Sequence, residues 1–79
     1  MPTVLRIGRF RFYFYSNEDG EPSHIHVKAA ENEAKFWLEP VMLAYNYGFR
    51  GHELNEIERL VIDNELFLLE KWNEYFGRG

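Results

Sequence analysis

Cysteine is absent from this 79-residue sequence, so neither a disulfide nor a thiolate-zinc cluster can hold the fold together. That absence points to an intracellular chain, where thiols seldom pair. Long apolar runs are missing too. No stretch approaches the ~20 consecutive apolar residues of a membrane helix, and the start Met1-Pro2-Thr3-Val4-Leu5 lacks the extended apolar segment of a secretory signal. A cytoplasmic location is therefore expected. Positive charge is not in excess either: the formal net charge of −4 argues against a protein that coats duplex nucleic acid. Repeats, linkers and low-complexity segments are lacking, as are a nucleophile elbow, a phosphate loop and a zincin motif.

What the chain has is aromatic mass. Phe, Tyr and Trp make up 18% of it, and each buried ring removes ~150 to 250 Å² from water. A chain this short buries only ~60% of its unfolded surface, so its core must be dense. One domain over 1–79 is expected, mainly β over 1–47 and helical over 51–76. Charge divides along the same line. Six acids (Glu18, Asp19, Glu21, Glu31, Glu33, Glu39) balance six bases (Arg6, Arg9, Arg11, Lys28, Lys35, Arg50) up to residue 50. Beyond it seven acids meet only Arg59, Lys71 and Arg78, which places the whole deficit in the C-terminal part.

The apolar period assigns the elements. Val4–Ile7 reads as a strand, Gly8 permits a tight turn, and Arg9–Tyr15 is a second strand. Asn17, Asp19, Gly20 and Pro22 form a loop of turn residues. His24–Ala29 is a third strand, returned by Ala30-Glu31-Asn32-Glu33 into Ala34–Leu38 as a hairpin. Glu39-Pro40 breaks that strand, and Val41–Tyr45 fits either a fifth strand or a helical turn. After Asn46-Tyr47-Gly48 the period becomes 3.6, with Leu54, Ile57, Val61, Leu68, Trp72 and Tyr75 or Phe76 on one stripe. Gly51 is an acceptable N-cap and Gly77 a stop. An unbroken helix here would run nearly 38 Å at 1.5 Å per residue, longer than a small sheet, so a break near Asp63-Asn64 is expected. The fold class is α+β: an antiparallel sheet of four to five strands with one long or broken C-terminal helix on one face.

Strand parity sorts two faces. Phe10, Phe12, Phe14, Ile25, Val27, Ala29, Ala34, Phe36 and Leu38 form an apolar face that must pack under the helix. Arg9, Arg11, Tyr13, Tyr15, His24, His26, Lys28, Lys35 and Trp37 form the opposite one, basic and aromatic and expected to lie open. Flat rings and cations suit single-stranded nucleic acid. They equally suit an acidic protein partner, or a sheet face that is merely solvated. A further apolar set, Leu60, Ile62, Leu66, Phe67 and Leu69, lies off the helical stripe and suggests a homodimer through the C-terminal helix.

His24-Ile25-His26-Val27-Lys28 is the stretch richest in chemistry. Its alternation projects both imidazoles from one face, with Cα atoms about 7 Å apart at the strand rise. Such a pair can serve a metal, a phosphate or a proton in transit. As catalytic candidates His24 and His26 would act as base, with Arg11 or Lys35 stabilising charge, as in a metal-free ribonuclease. A metal site would need Glu21 or His52 as further ligands, and neither has diagnostic spacing, so no metal and no cofactor is expected. Pro22 holds Glu21 extended, which aims its carboxylate back at the sheet end and toward an imidazole. The binding candidates are Arg9, Arg11, Tyr13, Tyr15, Glu21, His24, His26, Lys28, Lys35 and Trp37.

Thr3-Val4-Leu5-Arg6-Ile7-Gly8, Arg11–Ser16, Glu21-Pro22-Ser23-His24-Ile25-His26-Val27, Ala34–Leu38, Gly48-Phe49 and Trp72–Phe76 together resemble the small prokaryotic proteins known as domain of unknown function 4160. The likeness spans nearly the whole chain, and its signature matches at Glu21, Pro22, His24, His26 and Val27. The resemblance implies no established activity. It implies one half of a toxin-antitoxin-like gene pair, hence a protein partner from a neighbouring gene and an RNA target. A binding module with a partner protein or single-stranded RNA on the sheet face is the expected function. A ribonuclease or metal-assisted hydrolase using His24 and His26 is the alternative, and a structural homodimer without ligand a third.

Overall fold

The structure, a computed structural model, describes residues 3–17 and 20–77. Five strands, β1 (Thr3–Ile7), β2 (Phe10–Tyr13), β3 (His24–Ala29), β4 (Asn32–Leu38) and β5 (Val41–Tyr47), precede two helices, α1 (Gly51–Asp63) and α2 (Glu65–Phe76). The strands form one antiparallel sheet in chain order, a meander. Three of its four connections are two residues long: Gly8-Arg9, Ala30-Glu31 and Glu39-Pro40. Gly8, at φ +58°, supplies the positive φ that such tight hairpins demand, whereas Ala30 adopts φ +54° against its side chain.

Short turns shift several expected boundaries. Arg9 belongs to the β1–β2 turn and Tyr15 lies beyond β2, so the second strand is shorter than its alternation suggested. Asn32 and Glu33 belong to β4 rather than to the turn, and 41–47 is a strand, not a helical turn. The Asp19 of the expected turn lies outside the described residues.

The helical region is two helices rather than one long one. Asn64 separates them: its backbone N–H and its side-chain amide both donate to the Leu60 carbonyl, closing α1, while its own carbonyl accepts from Leu68 to begin α2. Arg50, not Gly51, is the N-cap of α1, and Glu53 accepts its N–H at 2.8 Å. Gly77 ends α2 in the left-handed region, as a C-terminal glycine does.

The core follows from parity. All nine residues assigned to the apolar face are buried, and Ile57, Val61, Leu68 and Trp72 close over them from the helices with Phe49. Phe14 meets Trp72 edge-on at 5.4 Å, a favourable arrangement of ring quadrupoles. Every helical residue in that group belongs to the 3.6-period stripe, so the amphipathic pattern places the helices.

Candidate functional site

On the sheet face away from this core, register builds three cross-strand rows. The first runs Arg6, Arg11, Lys28, Glu33, Tyr47 across all five strands. Beside it lies Tyr13, His26, Lys35, Tyr45, and beyond that His24, Trp37, Met42. A register shift at β4–β5, where Ala44 is the extra residue, keeps Tyr45 and Met42 on this face while Leu43 turns toward the helices. A bulge re-aims side chains in this way.

The face is not the open surface that alternation suggested. Tyr13 and both histidines are fully buried, His26 at 1% exposed and Lys35 at 8%. Long flat rings lie across the shorter imidazoles. Tyr13 stacks on His26 at 5.4 Å and Tyr15 meets it edge-on at 4.5 Å. His24 contacts Trp37 at 5.7 Å and, because β2 ends at Tyr13 and leaves that side uncovered, also Trp72 of α2 at 4.7 Å.

Polar groups under this cover are joined to one another, as buried polar groups must be. Glu33 accepts the Tyr13 hydroxyl and, at 2.9 Å, the Tyr15 hydroxyl. His26 Nδ1 lies 3.6 Å from the same carboxylate and 3.2 Å from the Tyr45 hydroxyl. Glu21 returns to the sheet end as its Pro22 neighbour predicts, pairing with Lys35 Nζ at 2.5 Å and standing 3.7 Å from His24 Nδ1. Lys35 Nζ also sits over the Trp37 ring at 4.5 Å, a cation–π contact. The Tyr13 phenol is held well above its usual pKa, first by burial and then by its hydrogen bond to Glu33.

Of the ten binding candidates, Arg9 belongs elsewhere. From its turn it pairs with Glu53 of α1 at 2.5 Å, on the helical side of the sheet. Arg6 takes its place on the polar face, and antiparallel pairing across a two-residue turn puts it opposite Arg11. Glu33, Tyr45 and Tyr47 were the other omissions. Glu33 alternates with Lys35 and Trp37, a signal hidden by reading residue 33 as turn. What faces solvent is the first row with the outer rings: Arg6, Lys28 and Tyr47 are exposed, Arg11, Tyr15, Trp37 and Tyr45 partly so.

That row places three cations side by side within ~10 Å, two strand spacings. Like charges directly opposite one another weaken a sheet. Among the described residues Arg11 is steadied by a hydroxyl and a ring: its Nε donates to Thr3 Oγ1 at 2.6 Å, and its guanidinium covers the Tyr13 ring at 5.0 Å. Among the described residues no group of three or more His, Cys, Asp or Glu is placed to hold a metal ion.

A sequence model of the family described as Domain of unknown function (DUF4160) matches residues 10–73. The chain belongs to this family. Neither a curated protein nor a solved structure matches it. The DUF4160 match begins at Phe10 and ends at Asn73, so it takes in β2–β5, the Glu21–His26 segment and most of both helices. It leaves out β1 and therefore Arg6. No helix of the DUF4160 chain is long and apolar enough to cross a membrane, among the described residues.

Proposed function

We propose that the chain is a binding module whose polar sheet face takes a single-stranded RNA. The observation that carries this reading is the row Arg6, Arg11, Lys28, in register on three adjacent strands and continuing through Glu33 to the exposed ring of Tyr47. Phosphates would meet the cations, and unpaired bases would stack on Tyr47 and Trp37 at ~1 to 3 kcal/mol each. The buried His26 and Tyr13, with the half-buried Glu33 that joins them, are then a foundation that fixes the outer rings and the strand spacing. An acidic segment of a partner protein, as the toxin-antitoxin-like likeness implies, would use the same cations without the stacking. Anisotropy with a labelled RNA oligomer and an oligoglutamate peptide separates the two. The RNA should bind in a salt-dependent way, weakened by Arg11→Ala and Lys28→Ala and also by Tyr47→Ala; a preference for the peptide with no effect of Tyr47→Ala would replace RNA by protein.

A hydrolytic reading draws on His26, whose Nδ1 faces both the Glu33 carboxylate and the Tyr45 phenol, since histidine is the commonest general base. It requires the Tyr15 ring to move aside, because His26 is covered. RNA cleavage that disappears in His26→Ala and is unchanged by added chelator would favour it over simple binding.

A further inference from the structure

The helical face turned away from the sheet carries apolar groups that the core does not use. Leu66 is 81% exposed and Ile62 52%. Leu66 and Leu69 floor a groove of about 450 Å³ on α2 whose remaining walls are Glu70, Asn73 and Glu74. A second depression, of about 350 Å³ on α1, sets Ile62 beside Asn55, Glu58 and Arg59. The α2 groove therefore has an apolar floor and an acidic rim, while at the α1 depression Glu58 is balanced by Arg59.

We infer that this face docks a cationic amphipathic helix belonging to another protein. Leu66, Leu69 and Asn73 succeed one another at spacings of three and four along α2, which presents a continuous stripe to a helix laid against it. The charge selects the kind of helix. Residues 51–77 hold Glu53, Glu56, Glu58, Asp63, Glu65, Glu70 and Glu74 against Arg59 and Lys71, so an approaching basic segment is attracted and an acidic one repelled. Complementarity also separates this occupant from a second copy. A two-fold pair brings each patch against itself, which would set the acidic rim of Glu70 and Glu74 against its own copy. The homodimer expected from the surplus leucines alone thus meets like charge.

The test uses the full chain, isotopically labelled, and a synthetic Leu/Lys amphipathic helix of about five turns. Its controls are a scrambled peptide of the same composition and a Leu/Glu version with the same pattern. Amide shifts should move saturably and concentrate at Ile62, Leu66, Leu69, Glu70 and Glu74. Leu66→Ser and the pair Glu70→Lys, Glu74→Lys should each weaken binding about tenfold, the effect expected of a central anchor, while Arg11→Ala leaves it unchanged. All three positions are exposed or rim sites, and a circular dichroism spectrum like that of the unaltered chain certifies the fold of each variant. Equal binding of the scrambled or the acidic peptide, shifts elsewhere on the chain, or a dimer by light scattering at micromolar concentration that buries Leu66 would each overturn the inference.

Discussion

Single residues decide two features that the sequence only hints at. Gly48 has φ +100°, and a Cβ built there would run into the side chain of Asn32 on the neighbouring strand. Beside it Asn46 both donates to the Phe49 carbonyl and accepts the Phe49 N–H, which sets the path from β5 into α1. Gly48→Ala should cost at least the ~1 to 3 kcal/mol of a forced backbone conformation, read as a lower denaturant midpoint with an unchanged slope. Tyr13 gives a test in alkali. Its folded pKa is raised, by burial first and by Glu33 second. The stability this provides is complete below the unfolded phenol value of ~10 and declines as pH rises beyond it. In an absorbance titration, Tyr13 should ionise only as the chain unfolds, and Tyr13→Phe should remove that late component. Arg9 and Arg6 show why alternation alone misplaces residues: parity reads a strand correctly inside its bounds, but a two-residue turn ends it, and an arginine one position outside is free to reach the other side.

Elements were easier to foresee than their ends. The uniform alternation of β2, β3 and β4 fixed which side chains enter the core, because a slip of one residue would exchange both faces. The break at Asn64 was foreseeable from length. What alternation cannot reveal is a bulge, since one extra residue such as Ala44 changes parity without changing composition, nor that the rings it places beside the histidines, Tyr15 among them, fold over and bury them. The start of α1 offers an element-level test. Glu53 has its pKa lowered, by the Arg50 backbone N–H first and the Arg9 guanidinium second. A depressed carboxyl contributes stability that is present above its unfolded value, ~4.3, and is lost as pH falls through the folded one. Glu53→Gln should therefore flatten the acid limb of a stability-pH curve, below the unfolded carboxyl value of ~4.3, and leave its alkaline limb alone.

At the scale of the whole molecule, one sheet is dressed on both sides: apolar helices on one, and on the other a thin layer of rings over a polar network. The core side bears most of the stability. Phe12→Ala, at a fully buried site in the middle of β2, should cost ~3 to 5 kcal/mol through the cavity it leaves. That is comparable to the entire stability of a chain this small, roughly 4 to 12 kcal/mol, so thermal melting should begin near ambient temperature; a shift of only a degree or two would mean that the ring is not core. Trp72 belongs to neither layer alone. Its indole touches Phe14 among the core rings, and His24 of the polar face through the gap beside β3. An occupant that draws α2 outward would drag this ring across the histidine, and a base stacked on Trp37 would in turn press through His24 on the helix. Two ligands on opposite sides of the molecule would then be linked by a coupling free energy, and each would alter the affinity of the other by the same factor.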